Sequence, residues 1–188
     1  MVSKRARDSR GPDRRLNGVG LLNRGGSDVT RYQMREKFFS IGDDAWIEDE
    51  HGSKAFKADG KALRMRKTFV LEDASGNEVA TIQEKMLHIR DTMQIERGGQ
   101  TVATIKKALV SPLRDKFNIE LAAGGSWDAH GNVVDHEYEI ENGRNKIAEV
   151  SKKWFRVRDT YGIEVAPGQD DGLVLAIAIA LDEMRRGS

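Results

Sequence analysis

The feature that most constrains this fold is the apolar run Leu173–Leu181 (LVLAIAIAL), in a chain whose residues are 32% charged. Wound as a helix, the run has no polar face, because its large side chains cover most of the circumference and alanines fill the gaps. A helix that is apolar all round must be enclosed on every side. Nine residues fall far short of the roughly 20 that span a bilayer. We therefore predict that protein surrounds this segment.

The same run also fits a strand, because its leucines and isoleucines alternate with smaller residues. Three features favour a helix. Alanine forms helices well and strands poorly. Asp170 and Asp171 suit a helix N-terminus, and Arg185 and Arg186 suit a C-terminus. The sequence therefore favours a helix from Asp170 to Arg186, with a strand as the open alternative.

Composition and charge suggest one domain with a separate tail. The chain has 188 residues and no cysteine, which excludes disulfides, thiolate metal sites and cysteine nucleophiles. Residues 1–30 hold seven basic and three acidic residues, which leaves 24 basic and 27 acidic residues in the remainder. We predict a disordered basic tail over 1–30 and a domain over 31–188. No apolar secretory segment is present near the start, so we expect a cytoplasmic protein.

From Tyr32 onward the sequence has the pattern of short strands separated by glycine turns. Alternation is clear at Phe117, Ile119 and Leu121, among others. About twelve such strands can be counted, which indicates an antiparallel meander. The predicted hairpin loops are 50–52, 74–77, 97–100, 123–126 and 142–145.

An internal repeat supports a closed sheet. Glu78–Glu96 aligns with Lys146–Glu164 at a constant offset, with Arg-Asp-Thr and Ile-Glu shared. Two similar halves around one apolar helix imply a barrel, which also leaves no exposed edge strand. A helix is about 10 Å wide, so the barrel needs more than the eight strands whose side chains fill a small interior.

Several segments resemble the LURP-one-related family. They are 32–39 (YQMREKFF), 46–52 (WIEDEHG) and 66–77 (RKTFVLEDASGN), followed by Ile82, Lys85 and the apolar C-terminal helix. The resemblance covers about residues 31–186. It implies a tubby-like fold, shared with Tubby C-terminal domains and phospholipid scramblases, in which a twelve-stranded barrel is threaded by a hydrophobic helix.

No catalytic motif is recognisable. The chain lacks a P-loop, a dinucleotide fingerprint and a nucleophile elbow, so we expect a non-enzymatic binding or scaffold domain without a cofactor. The densest polar group spans 128–137, and we interpret it as a solvated loop and strand edge rather than a metal site. The enzymatic alternative is a metal-dependent hydrolase that uses Asp128, His130 and Asp135.

Basic residues give the main indication of a ligand. They are either a solvated outer surface or a site for a phospholipid headgroup or another anion. Tubby domains bind phosphoinositide headgroups through basic residues, which is a precedent for the second interpretation, but no motif here carries those residues over, and both interpretations stay open. The partners expected are an anionic phospholipid surface or a protein; nucleic acid is not expected. A further alternative is a peripheral membrane protein that docks by its basic tail. The three tryptophans are expected to pack in the barrel wall. The candidate anion-binding residues are Lys61, Arg64, Arg66, Lys106, Lys107, Lys152 and Lys153.

Overall fold

The computed structural model describes residues 29–35, 44–60, 67–85, 92–108, 115–154 and 160–186. These residues form twelve strands and one helix. The strands are β1 (Thr30–Arg35), β2 (Asp44–Asp49), β3 (Lys54–Gly60), β4 (Thr68–Asp73), β5 (Glu78–Glu84), β6 (Thr92–Arg97), β7 (Gln100–Lys107), β8 (Asp115–Leu121), β9 (Ser126–Asn132), β10 (Glu137–Asn142), β11 (Asn145–Ser151) and β12 (Thr160–Val165). The helix is α1 (Asp171–Arg186). The predicted tail over residues 1–30 lies outside the described residues except for its last two.

The twelve strands form a closed antiparallel barrel in chain order. Closure is made by β1 and β12, which pair from Thr30 opposite Val165 to Arg35 opposite Thr160. This confirms the predicted fold. We call one end of the barrel the turn end, where the hairpins β2–β3, β4–β5, β6–β7, β8–β9 and β10–β11 reverse and β12 leads into α1. The opposite end, where β3, β5, β7, β9 and β11 finish, is the loop end.

The predicted glycine turns form the turn end. In the β4–β5 turn, an Asp73 carboxylate oxygen accepts the Ser75 and Asn77 amides at 2.8 and 2.9 Å, and Gly76 has a φ of +83°. Asp49 makes the same kind of contacts in the β2–β3 turn. Because aspartate side chains mimic a backbone turn and glycine adopts positive φ freely, each hairpin reverses within a few residues. Bulges close to the turn end in β2, β4, β6 and β10 increase the twist that closure requires.

Helix α1 fills the barrel. Every residue from Val174 to Leu181 is at most 1% exposed, which confirms that the apolar run is enclosed by the sheet. Asp170 caps the helix, because its side chain accepts the Leu173 amide at 3.0 Å. Asp171, which the sequence suggested as a second cap, instead accepts a hydrogen bond from the Tyr32 hydroxyl at 2.7 Å. Among the described residues, no helix combines the length and the apolar character that crossing a membrane requires.

The sequence repeat corresponds to two strand pairs. Its first copy covers β5 and all but the last residue of β6, and its second covers all but the end residues of β11 and β12. The two pairs are six strands apart in a twelve-stranded ring, so they lie on opposite sides of the barrel. The repeat therefore marks two equivalent parts of the barrel wall, as the sequence predicted.

Candidate functional site

The described part of the chain exposes two large apolar side chains, and both lie at the loop end. Val134, in the turn between β9 and β10, is 53% exposed. Trp154, which follows β11, is 37% exposed. The prediction that all three tryptophans pack in the barrel wall is therefore wrong for Trp154, because β11 ends at Ser151 and Trp154 lies beyond that end of the strand.

Glu137, the first residue of β10, anchors the segment that carries Trp154. Its carboxylate accepts the Ser151 hydroxyl at 3.0 Å, the Lys152 amide at 3.1 Å and the Lys153 ammonium at 3.1 Å. Burial would raise the pKa of Glu137, but the hydrogen bonds from Lys153, Ser151 and Lys152 outweigh it and lower that pKa. Glu137 is therefore a carboxylate at neutral pH, and Lys153 stays 81% exposed beside it.

The four described candidate anion-binding residues share the loop end but do not form one pocket. Lys106 and Lys107 end β7, whereas Lys152 and Lys153 follow β11. Three strands separate β7 from β11, a distance of about 19 Å along the wall. Lys106 also contacts both carboxylate oxygens of Glu120 at 2.8 Å. The remaining candidates, Lys61, Arg64 and Arg66, lie outside the described residues.

The turn end is acidic. Its described basic residues include Arg31, Lys54, Arg97, Arg144 and Lys146. Carboxylates outnumber them there. Strand β1 also starts at this end, so the basic segment 1–28 precedes the barrel at its acidic end. The carboxylates at the turn end are those of Glu48, Asp49, Glu50, Glu72, Asp73, Glu78, Glu96, Glu164, Asp170 and Asp171.

A second polar group lies on the outer wall. His130 of β9 is directly opposite Glu139 of β10, and its Nε2 atom is 3.8 Å from a Glu141 carboxylate oxygen. The three side chains are partly buried, and their possible ligand atoms lie within 4.8 Å of one another. A groove of about 260 Å³ adjoins His130 and Glu139 and reaches Glu149 on β11. We call His130, Glu139 and Glu141 the outer-wall triad.

The structure does not assemble the hydrolase site suggested by the sequence. Asp135 lies in the β9–β10 turn, where its carboxylate accepts the Asn132 side-chain amide at 2.6 Å. Asp128 is 3.9 Å from the Lys116 ammonium. Within the described ranges, Asp128 and Asp135 are not part of the group that could share a metal with His130.

His136 was expected in a solvated loop, and that expectation is wrong. It is 2% exposed, with its Nε2 atom 3.7 Å from an Asp182 carboxylate oxygen of α1. Its ring stacks on Tyr161 of β12 with centroids 4.1 Å apart. Asp182 in turn accepts a hydrogen bond from Arg185 at 3.0 Å. This polar group lines the interior where α1 reaches the loop end.

Taken together, these features define a class of protein: a twelve-stranded antiparallel barrel with an apolar helix as its core. The family model of LURP-one-related proteins matches residues 30–182, and the chain belongs to that family. The resemblance noted in the sequence is thereby confirmed.

Two relatives and one solved structure support the assignment. The uncharacterized protein YxjI of Bacillus subtilis is 31% identical over 79% of this chain and 90% of its own length. Protein LURP-one-related 15 of Arabidopsis thaliana is 27% identical over 74% of this chain and 72% of its own. An X-ray structure of an Arabidopsis thaliana protein superimposes with a TM-score of 0.65 and covers 85% of this chain and 93% of that one. At 19% identity, this likeness concerns the fold alone.

Proposed function

We propose that this chain is a non-enzymatic binding domain whose loop end docks on an anionic phospholipid surface. The observation that carries the proposal is the clustering at that end of exposed Trp154 and Val134 with Lys152 and Lys153. Tryptophan suits a membrane–water interface, because its ring is apolar and its indole N–H group can donate a hydrogen bond. Neighbouring lysines are attracted to anionic headgroups. On this proposal the protein is cytoplasmic and associates peripherally with a membrane.

A surface ligand also fits the occupied interior. Because α1 fills the barrel, a ligand that does not displace it must bind outside the wall. Lys106 and Lys107 are too far from Lys152 and Lys153 to share one headgroup, but a flat lipid surface contacts several points of one end at once. The proposal therefore replaces a single anion pocket with an extended surface.

Docking by the basic tail is the rival hypothesis, and it predicts the opposite orientation. The tail joins β1 at the turn end, where carboxylates are concentrated. An anionic membrane would repel that end. Docking through the loop end holds Lys152, Lys153 and Trp154 against the lipid and keeps the acidic end in water.

The test is co-sedimentation of the full chain with two kinds of vesicle. One is pure phosphatidylcholine, and the other contains about 30% phosphatidylserine, which gives the surface a negative potential. We expect binding to the anionic vesicles that weakens at least fivefold in Trp154→Ala and in the double variant Lys152→Ala, Lys153→Ala. Each lysine near an anionic membrane surface contributes about 1 kcal/mol of binding free energy. The contribution of Lys153 is smaller, because its ammonium also contacts the Glu137 carboxylate.

A matched control removes two exposed charges at the turn end, Lys54→Ala with Arg144→Ala. We expect this variant to bind as the wild type does. Equal recovery with neutral and anionic vesicles, whether high or low, would contradict docking on an anionic surface. Loss of binding on deletion of residues 1–28, with the loop-end variants unchanged, would favour the tail instead.

A further inference from the structure

We propose that the outer-wall triad of His130, Glu139 and Glu141 binds one divalent transition-metal ion, with Zn²⁺ as the probe ion. This site is separate from the loop end and does not depend on lipid binding. One imidazole nitrogen and two carboxylates form a mixed donor set of the kind that Zn²⁺ and its neighbours accept. Calcium and magnesium prefer oxygen ligands alone, so the histidine disfavours them.

Strand pairing places the three donors together. Glu139 and Glu141 alternate with buried Tyr138 and Ile140, so both carboxylates lie on the outer face of β10. The pairing of β9 with β10 then brings His130 opposite Glu139. Side chains on rigid strands are positioned more accurately than those on loops, which favours a defined ligand geometry.

The separations are close to those of a coordinated ion. Ligands bound at about 2.0–2.2 Å from one metal lie roughly 3.0–3.5 Å from each other. The 3.8 Å between the His130 Nε2 atom and the Glu141 carboxylate oxygen therefore needs to shorten by less than 1 Å. No two ligand atoms of the triad are more than 4.8 Å apart, so no distance needs to shorten by as much as 2 Å. Small side-chain rotations are sufficient, and the adjoining groove leaves room for water in the remaining coordination positions.

The charge of the wall also favours a cation. Glu139 lies directly opposite Glu149 of β11, an arrangement of like charges that destabilises a sheet. Lys146 offsets part of this repulsion, with its ammonium 3.0 Å from Glu139 and 2.5 Å from Glu149. Glu141 lies opposite Asp128 on the other side. With Glu137 and its partner Lys153 included, five carboxylates on β9–β11 face three lysines, and a divalent ion would balance the difference of two charges. The other two lysines are Lys146 and Lys116.

The experiment is calorimetric titration of the untagged full chain with ZnCl₂, followed by thermal unfolding with and without the ion. We expect one equivalent of Zn²⁺ to bind and to raise the melting temperature by roughly 5–10 °C at a hundredfold excess over Kd. We expect the affinity for Zn²⁺ to fall at least tenfold in His130→Ala and in Glu141→Gln. Mutating residues that only hydrogen-bond to a metal ligand already lowers metal affinity by about tenfold or more, and a ligand itself should matter at least as much.

The matched control is His51→Ala. His51 also lies near a glutamate, with its Nε2 atom 3.7 Å from Glu50, but belongs to no three-ligand group within the described part of the chain. This variant should bind Zn²⁺ as the wild type does. The proposal is overturned if wild type binds no ion, if His130→Ala binds unchanged, or if His51→Ala loses as much affinity. Should His130→Ala fail to fold, the near-isosteric Glu141→Gln variant provides the same test.

Discussion

At the residue scale, the start of α1 is fastened to the barrel by an ion pair. The Arg97 guanidinium donates two hydrogen bonds to the Asp170 carboxylate, at 2.5 and 2.8 Å. The pKa of Asp170 is lowered chiefly by Arg97, with help from the Leu173 amide and against a smaller opposing effect of burial. The charged form of Asp170 is therefore favoured in the folded state.

This pKa shift predicts a dependence of stability on pH. A carboxyl group whose pKa is lower in the folded state than in the unfolded state stabilises the protein when the pH is above its unfolded-state pKa of about 3.9. That stabilisation is lost as the pH falls through the pKa of the folded state. We expect Asp170→Asn, which retains a good helix cap, to lower the free energy of unfolding by about 0.5–1 kcal/mol at pH 7, since partial exposure weakens the pair. Urea unfolding should show a smaller difference from wild type near pH 3; an undiminished difference would contradict this account.

Gly131 illustrates a second constraint at single-residue scale. Its φ is +137°, and an added Cβ would lie 2.6 Å from the Glu137 carbonyl oxygen and 2.7 Å from the Tyr138 Cα. Only glycine allows β9 and β10 to approach this closely. We expect Gly131→Ala to destabilise the protein by about 3 kcal/mol or more, from backbone strain and overlap together.

Gly52 is the matched control, because its φ is +78° and nothing lies within 4 Å of the added Cβ. Gly52→Ala should cost only about 1–2 kcal/mol, the strain of a left-handed backbone alone. Chemical denaturation of both variants measures the comparison. Equal losses would show that the close approach at Gly131 has no energetic consequence.

At the scale of elements, α1 is the core on which the wall packs. Ile177 is 0% exposed, so Ile177→Asp would bury a charge with no partner provided for it. We expect this variant to lack a cooperative thermal transition. Leu173→Asp, at a partly exposed position in the first turn, should remain folded because the helix N-terminus tolerates negative charge. Calorimetry distinguishes the two, and a cooperative melt of Ile177→Asp would contradict the role given to α1.

Truncation after Gly168 tests the same element more severely. It removes the whole helix and leaves the inward faces of twelve strands without apolar partners. We expect no soluble folded protein from this variant. Soluble product with a cooperative transition would show that the barrel is stable without its helix.

At the scale of the whole molecule, the barrel has an acidic turn end and a loop end that carries exposed apolar and basic side chains. If the loop end docks on lipid, Trp154 enters the interface while Trp46 of β2 and Trp127 of β9 stay at the wall. Anionic vesicles should then shift tryptophan emission to shorter wavelength, and Trp154→Phe should abolish the shift. Raising the ionic strength from about 0.05 to 0.5 M should release the protein, because exposed charges are then screened within a few ångströms. A shift that persists in Trp154→Phe would contradict this orientation.

Local patterns in the sequence determined much of this protein. The apolar run required burial, because no arrangement leaves such a segment exposed to water at low cost, and its alanines favoured a helix over a strand. Alternation and glycine turns specified the strands, and the repeat indicated a wall built from equivalent parts. The helix and strand patterns depend on residues close together in the chain, so their periodicity can be recognised in the sequence alone.

Only the tertiary structure decided which distant side chains meet. His130 contacts Glu141 because β9 pairs with β10 in one register, and a shift of one residue would place the histidine on the opposite face. His136 is buried beside Asp182 of α1, which lies 46 residues further along the chain. Closure through β1 and β12 likewise fixed which charges share an end of the barrel. Register and closure depend on the packing of the whole chain, so no local pattern encodes them.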